Sequence, residues 1–351
     1  MKQRSVFWDN YKGVLIFLVV FGHFIYAYAN KVDGSLAQHI YDFIYTFHMP
    51  AFVFSTGYFS KSERSRSGES LVKLLLYYLV FNTLMLCFAA GYLGRSIKLL
   101  TPYYSYWYIL SVVMWRALIG KVDNIRGLVV LSAVLTLALG FSSEFSNLLA
   151  LRRTVGFFVF FAAGYRMDRQ KVDAFLARRK PLGMVLCVIP TIAAAAAAWW
   201  AVQKFGITDS MAMMSSYRGA DDLLLRVLLL AIAAAAIICM MLVIPDRKIP
   251  LLSQIGKNSL LIYLAHRFVT IVYYTDLFPA KTYTGKYLLY AFGAAALTCA
   301  VLGNEHLNVG VAKIFDKAAA AIADRSSKYG AALKTVILLG FIVLLFVNGM
   351  E

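Results

Sequence analysis

Charge is scarce in this sequence. Only 15% of its 351 residues are Asp, Glu, Lys or Arg, and 61% are hydrophobic. A soluble domain of this length would carry about a quarter charged residues. The deficit excludes an ordinary soluble protein and fits a polytopic membrane protein whose loops meet most of the water. Cysteine is also sparse. The four cysteines (Cys87, Cys187, Cys239 and Cys299) all lie in apolar runs, and none forms a C-x-x-C pair. Neither a disulfide framework nor a zinc site is indicated, and small-residue helix packing is their simplest use. No cleavable signal peptide is expected, because the basic start runs straight into an apolar stretch without a small-residue cleavage site. An independent soluble core is missing too, since the longest polar stretch, residues 303–332, is too short for one.

Acidic residues are the scarcer charge, which leaves a formal net charge of +17. That excess does not indicate nucleic acid, because the basic residues sit in short loops between apolar segments and not on one solvated face. A spanning helix needs about 20 apolar residues. By that rule the expected fold is all-α, a transmembrane helical bundle of ten or eleven spans. They run near 11–29, 42–60, 71–93, 103–119, 127–141, 148–165, 182–203, 223–243, 259–278, 287–302 and 333–349. Most Lys and Arg fall in alternate loops, which places the N-terminus in the cytoplasm of a multi-pass protein of the cell (plasma or inner) membrane. The expected organisation is a ten-span domain over residues 1–302, a cytoplasmic amphipathic segment over 303–332, and a further C-terminal span or peripheral segment over 333–351. In the middle part, Leu307, Val311, Ile314, Phe315, Ala318 and Ile322 recur at helical spacing, as in an interfacial helix. The alanine-rich runs at 193–198 and 231–236 read as close helix packing.

Against this apolar background a few polar residues stand out. The stretch DNYKGVLIFLVVFGHF, Asp9 to Phe24, has a lysine and a histidine eleven residues apart. Eleven residues make about three helical turns, so Lys12 and His23 leave one face about 16 Å apart along the axis. With Lys12 at the cytoplasmic interface, His23 lies near the bilayer midplane. An ionisable residue there is costly and is a functional candidate. Lys12 alone is also explained as an interfacial anchor that snorkels to the headgroups. In FHMPAF (residues 47–52), Pro50 cannot donate to the carbonyl of Thr46, which weakens or kinks the helix beside His48. In IGKNSLLIYLAH (residues 255–266), Ser259, Tyr263 and His266 share a face. Gly256, Lys257, Asn258 and Ser259 read as a helix start whose N–H groups could cradle phosphate, or simply as an ordinary cap. Arg152 and Arg153 precede TVGFFVFFAAGY on the outer side, where they would meet headgroups or an anionic ligand. Trp107 and Arg116 close the two ends of WYILSVVMWR, outside and inside.

These motifs carry a resemblance. FWDNYKGVLIFLVVFGH is similar to the N-terminal signature of the acyltransferase 3 family of integral membrane acyltransferases, nearest its fucose 4-O-acetylase-like branch. FHMPAFVFSTGYF resembles its second-span motif, and WYILSVVMWR, RTVGFFVFFAAGY and IGKNSLLIYLAH follow in the family's order, covering roughly the first 270 residues. The resemblance implies transfer of an acyl group, usually acetyl from cytoplasmic acetyl-CoA, to a hydroxyl of an extracytoplasmic cell-surface glycan or lipid-linked sugar. It implies a catalytic role for His23 and a donor-side role for Lys12. Around them, His48 is a second catalytic candidate. Asp9, Lys257, Asn258, Ser259 and Arg116 are candidates for the acyl donor, and Arg153, Arg152 and Trp107 for the acceptor. Tyr263 and His266 are candidate supporting or oxyanion groups. Two routes stay open: His23 as general base, or His23 acylated first. No metal or resident cofactor is expected; acetyl-CoA is a substrate, and the partners are the acceptor sugar and membrane lipids. A soluble-type acyltransferase is excluded, since no H-x-x-x-x-D box follows any of the five histidines. The alternative is a multi-pass transporter or flippase for a sugar or lipid-linked substrate, for which midplane histidines and Pro50 would line a pathway.

Overall fold

The computed structural model describes residues 5–30, 35–98, 101–142, 148–178, 213, 215–277 and 286–323. Within them every regular element is helical. In chain order these are α1 (Val6–Ala29), α2 (Leu36–Phe59), the single turn α3 (Glu63–Arg66), α4 (Gly68–Leu93), α5 (Trp107–Val122), α6 (Leu128–Ala138), α7 (Leu151–Arg166) and α8 (Arg169–Arg178). After them come α9 (Ala220–Val243), α10 (Pro250–Lys257), α11 (Ser259–Val272), α12 (Tyr287–Leu302) and α13 (Glu305–Ala323). The expected spans at 182–203 and 333–349, with Cys187, lie outside the described residues.

Among the described residues α1, α4 and α9 are long and apolar enough to cross a bilayer, and α12 with α13 would make a fourth if counted as one broken span. At 1.5 Å per residue, the 24 residues of α1 exceed the roughly 30 Å hydrocarbon core. Eight spans were expected in the described region beyond α1, and most of the helices found there fall short of that test for a visible reason. α5 and α7 have only 16 residues each and carry Arg116, Arg152, Arg153 and Arg166. Large apolar side chains on α4, α9 and α12 face outward, including Leu84, Leu224, Leu289 and Leu297. Outward Leu and Phe are the expected surface where the surroundings are lipid.

The chain divides into two compact units. The first comprises residues up to Tyr58 together with Phe160–Asn308. In it α1 packs on α10, α11 and α12. Two glycines permit the tightest of these contacts. A Cβ on Gly256 would lie 1.7 Å from the Asp9 carbonyl oxygen, and one on Gly13 would lie 2.3 Å from that of Leu252. Asn10 completes the clamp. Its Nδ2 donates to the carbonyls of Pro245 (2.8 Å) and Arg247 (2.9 Å), and its Oδ1 accepts from Ser253 Oγ (2.6 Å). Further along, the Tyr287 hydroxyl donates to the Phe24 carbonyl at 2.7 Å. α1 is thus held at both ends.

The second unit comprises Phe59–Val159 with residues from Val309 on. Here Ser67 caps α4 through the Ser70 N–H at 3.3 Å. Trp115 Nε1 donates to the Thr154 carbonyl at 2.8 Å, and Ser111 and Thr154 share a hydroxyl bond of 2.6 Å, which joins α5 to the start of α7. Phe315 stacks on Tyr77 with centroids 3.9 Å apart, and Lys73 pairs with Asp316 beside it. The amphipathic stripe expected over 307–322 is therefore split: Phe315 packs inward and Ile322 is buried, while Ile314 is 68% exposed.

Candidate functional site

Three of the five histidines converge in the first unit. α1 carries His23, α2 carries His48, and α11 carries His266. The His23 and His266 rings stack with centroids 5.1 Å apart and planes 23° apart. Tyr45 of α2 links His23 to His48. Its hydroxyl lies 3.4 Å from His23 Nδ1, and its ring packs on His48 with centroids 4.6 Å apart. His48 and His266 are buried, at 4% and 0% exposure, whereas His23 is half-buried. Pro50 sits inside an unbroken α2.

Backbone carbonyls fix two of the tautomers. A carbonyl can only accept, so the nitrogen against it carries the proton. His48 Nδ1 donates to the Ile44 carbonyl at 2.7 Å. His266 Nδ1 donates to the carbonyls of Ile262 (3.0 Å) and Tyr263 (2.8 Å). As neutral rings, both then keep only a lone pair at Nε2, and neither has an N–H to offer an oxyanion. His266 Nε2 is buried and has no hydrogen-bond partner among the described residues. The cation closest in effect is Arg267, 1% exposed and within electrostatic reach of His23 and His266. Tyr45 and Arg267 were not assigned to the site from the sequence. Tyr45 was legible in principle, one turn before His48 on the same helix face.

The donor-side candidates separate into two groups. In the first unit Lys12 pairs with Asp9 one turn earlier, N–O 3.5 Å, both side chains largely covered. Because α1 is continuous, Lys12 and His23 share its face as the spacing required. The segment at 256–259 differs from the open helix start expected. Pro250 opens a short helix that ends at Lys257, and Asn258 is the break before α11 begins at Ser259. Its polar groups are engaged: Asn258 Nδ2 donates to the Gly303 carbonyl at 2.8 Å, and Lys257 pairs with Glu305 at 2.6 Å. The Gly256 backbone lies against α1, which leaves no room for a cradle there. In the second unit Arg116 donates to Ser60 Oγ at 3.0 Å and lines an open cavity of about 330 Å³, where Arg64 and Lys73 stand beside the carboxylates of Glu69 and Asp316.

The two adjacent arginines divide their work. Arg152 is buried and bonds the carbonyls of Ser142 (2.5 Å) and Leu139 (3.4 Å), so its guanidinium is committed to the fold. Arg153 is half-buried, lies 5.4 Å above the Trp107 ring and reaches the Tyr104 carbonyl at 3.3 Å. Arg153 and Trp107 therefore form a cation–π pair, half-buried at the guanidinium and buried at the indole.

Two curated relatives share part of this chain. Nodulation protein NolL of Sinorhizobium fredii (strain NBRC 101917 / NGR234) is 26% identical over 156 residues, 39% of this chain and 42% of that protein. Nodulation protein NolL of Mesorhizobium japonicum (strain LMG 29417 / CECT 9101 / MAFF 303099) is 36% identical over 90 residues, 24% of each chain. The matched stretches span less than half of either relative. No solved structure matches. The domain model of the acyltransferase 3 family, an acyltransferase domain, matches residues 5–303 and so takes in the clamp on α1, all three converging histidines and the Arg153–Trp107 pair. Most of the chain lies inside that match: it belongs to the acyltransferase 3 family.

Proposed function

We propose that the protein is an O-acetyltransferase that moves acetyl from cytoplasmic acetyl-CoA to a hydroxyl of an extracytoplasmic cell-surface glycan or lipid-linked sugar. The observation that carries this reading is the half-buried His23 ring, stacked on His266 and bonded to Tyr45 on a helix that also presents Lys12. His23 Nε2 takes the acceptor hydroxyl proton as the oxygen attacks the thioester carbonyl; the new C–O bond forms, the C–S bond breaks, and the proton passes to the departing thiolate. The acyl-histidine route uses the same lone pair, with Nε2 attacking first. Arg267 stabilises the negative charge that develops on the carbonyl oxygen, a role that neutral His48 and His266 cannot fill. Lys12, steadied by Asp9, binds the anionic donor, and Arg116 is a second donor-side candidate. Arg153 and Trp107 bind the acceptor sugar.

The test is mass spectrometry of surface glycans from cells with and without the gene. A base-labile acetyl ester present only with the gene supports the proposal. Identical glycans would overturn it. Lys12→Ala and Arg116→Ala sharpen the donor assignment. Each should raise the apparent KM for acetyl-CoA about tenfold, as expected for one lost charge-assisted contact, and leave the acceptor KM within about twofold. Steady-state kinetics in detergent or nanodiscs reads both values, and an unchanged donor KM removes the residue from the donor site.

A further inference from the structure

The reacting imidazole needs a defined tautomer, and nothing assigned so far sets it. For His48 and His266 the answer is a backbone carbonyl. His23 differs, because the group facing its Nδ1 is the Tyr45 hydroxyl at 3.4 Å, which can donate or accept. The packing leaves Tyr45 little freedom. Its ring stacks on Tyr41 with centroids 3.9 Å apart and meets His48 in an edge contact at 4.6 Å. A Cβ on Gly22 would sit 3.4 Å from Tyr45 Cε2, so the phenol lies directly against α1 beside His23. Tyr41, on which the ring stacks, is itself 5% exposed. Tyr41, His48 and α1 thus hold the phenol with its hydroxyl at one nitrogen of His23.

We propose that Tyr45 is a positioning residue for His23: its oxygen accepts from the Nδ1–H and so keeps the Nε2 lone pair pointed at the reacting groups. The proposal rests on the reading of His23 as the reacting imidazole. Chemistry decides the sense of the bond. Were Tyr45 to donate to Nδ1, the proton of the neutral ring would sit on Nε2, and the ring could neither accept the hydroxyl proton nor attack the thioester. With Nδ1–H donating, Nε2 takes the proton, and the imidazolium still donates to the same oxygen. Tyr45 contributes no proton to the reaction and contacts no reacting atom. A neutral phenol in this position orients the ring without placing a carboxylate beside it at membrane depth, where a charge is costly.

Tyr45→Phe removes the oxygen and keeps the ring packed on Tyr41 and His48. The expected result is a fall in kcat of about tenfold, the effect of one lost buried hydrogen bond, with both KM values within about twofold. A change in KM alone, or an unchanged kcat, overturns the proposal. The second reading is spectroscopic and needs no variant of Tyr45. In the ¹⁵N-histidine spectrum of the full-length protein in nanodiscs, the signal lost in His23→Gln should show a protonated Nδ1 and an unprotonated Nε2. Tyr45→Phe should turn that signal into a tautomer mixture, and Tyr41→Phe should not. A wild-type His23 protonated at Nε2 overturns the proposal even where Tyr45→Phe fails to fold. Loss of the proposed function shows differently: the wild type would then transfer no acyl group, while the spectrum would still decide the role of Tyr45.

Discussion

His23→Gln should lower kcat for acyl transfer by about a thousandfold, within the range that a general base contributes, while the protein inserts and elutes as the parent does. Glutamine keeps a polar group of similar reach but can neither take a proton nor form an acyl intermediate, so the loss falls on the chemistry. The same exchange at His48 and His266 should cost far less, about tenfold, because their Nδ1–H groups are engaged with backbone carbonyls and both rings are buried. The three variants therefore rank the rings. Assayed side by side with one donor and one acceptor, they should give one near-dead enzyme and two impaired ones. A His23→Gln enzyme with a tenth of the parent's activity, beside an inactive His266→Gln, would sink the assignment. It would move the reaction to His266, whose Nε2 also carries a lone pair and has no partner among the described residues.

How far this was readable beforehand depends on the range of the interaction. The pairing of Lys12 with His23 needed only helical periodicity, and α1 is one unbroken helix. His48 and His266 were recognisable because each stands alone in an apolar segment. Tyr45 was not singled out, since tyrosine is common here, with 22 in the chain, and its place one turn before His48 was the one local cue. Asn10 and Gly13 sit inside the opening motif, yet their partners lie more than 230 residues away, at Pro245, Arg247, Leu252 and Ser253. The helix start at Asn258–Ser259 was legible, and α11 does begin at Ser259; the short helix that Pro250 opens just before it was the overlooked element. Arg152 and Arg153 look equivalent in sequence. Neighbouring helix positions diverge by about 100°, which turns one guanidinium into the protein and leaves the other over Trp107.

The remaining large effect concerns assembly. Gly57→Val and Gly164→Val should each prevent recovery of folded protein, or lower its thermal midpoint by many degrees. The two glycines face each other where α2 meets the later part of α7. A Cβ on Gly57 would lie 2.0 Å from the Phe161 carbonyl oxygen, and one on Gly164 would lie 1.9 Å from that of Phe54. Each offending atom belongs to a helix backbone, so no side-chain rotation relieves the clash and the two helices must move apart. Membrane helices gain little from hydrophobic expulsion and depend on such close approach for their contacts. Overpacking in ordinary cores already costs about 1–3 kcal/mol. α2 carries Tyr45 and His48, so separation would also loosen the histidine cluster. Gly91→Val and Gly293→Val are the matched controls: both lie within helices, and nothing stands within 4 Å of a Cβ at either. Fluorescence-detected size exclusion and a thermal ramp measure all four. Parent-like yield and midpoint for Gly164→Val would show that the helices do not cross as closely as Phe54 and Gly164 require. If the controls fail as badly, valine in a membrane helix is the cause and the crossing is not.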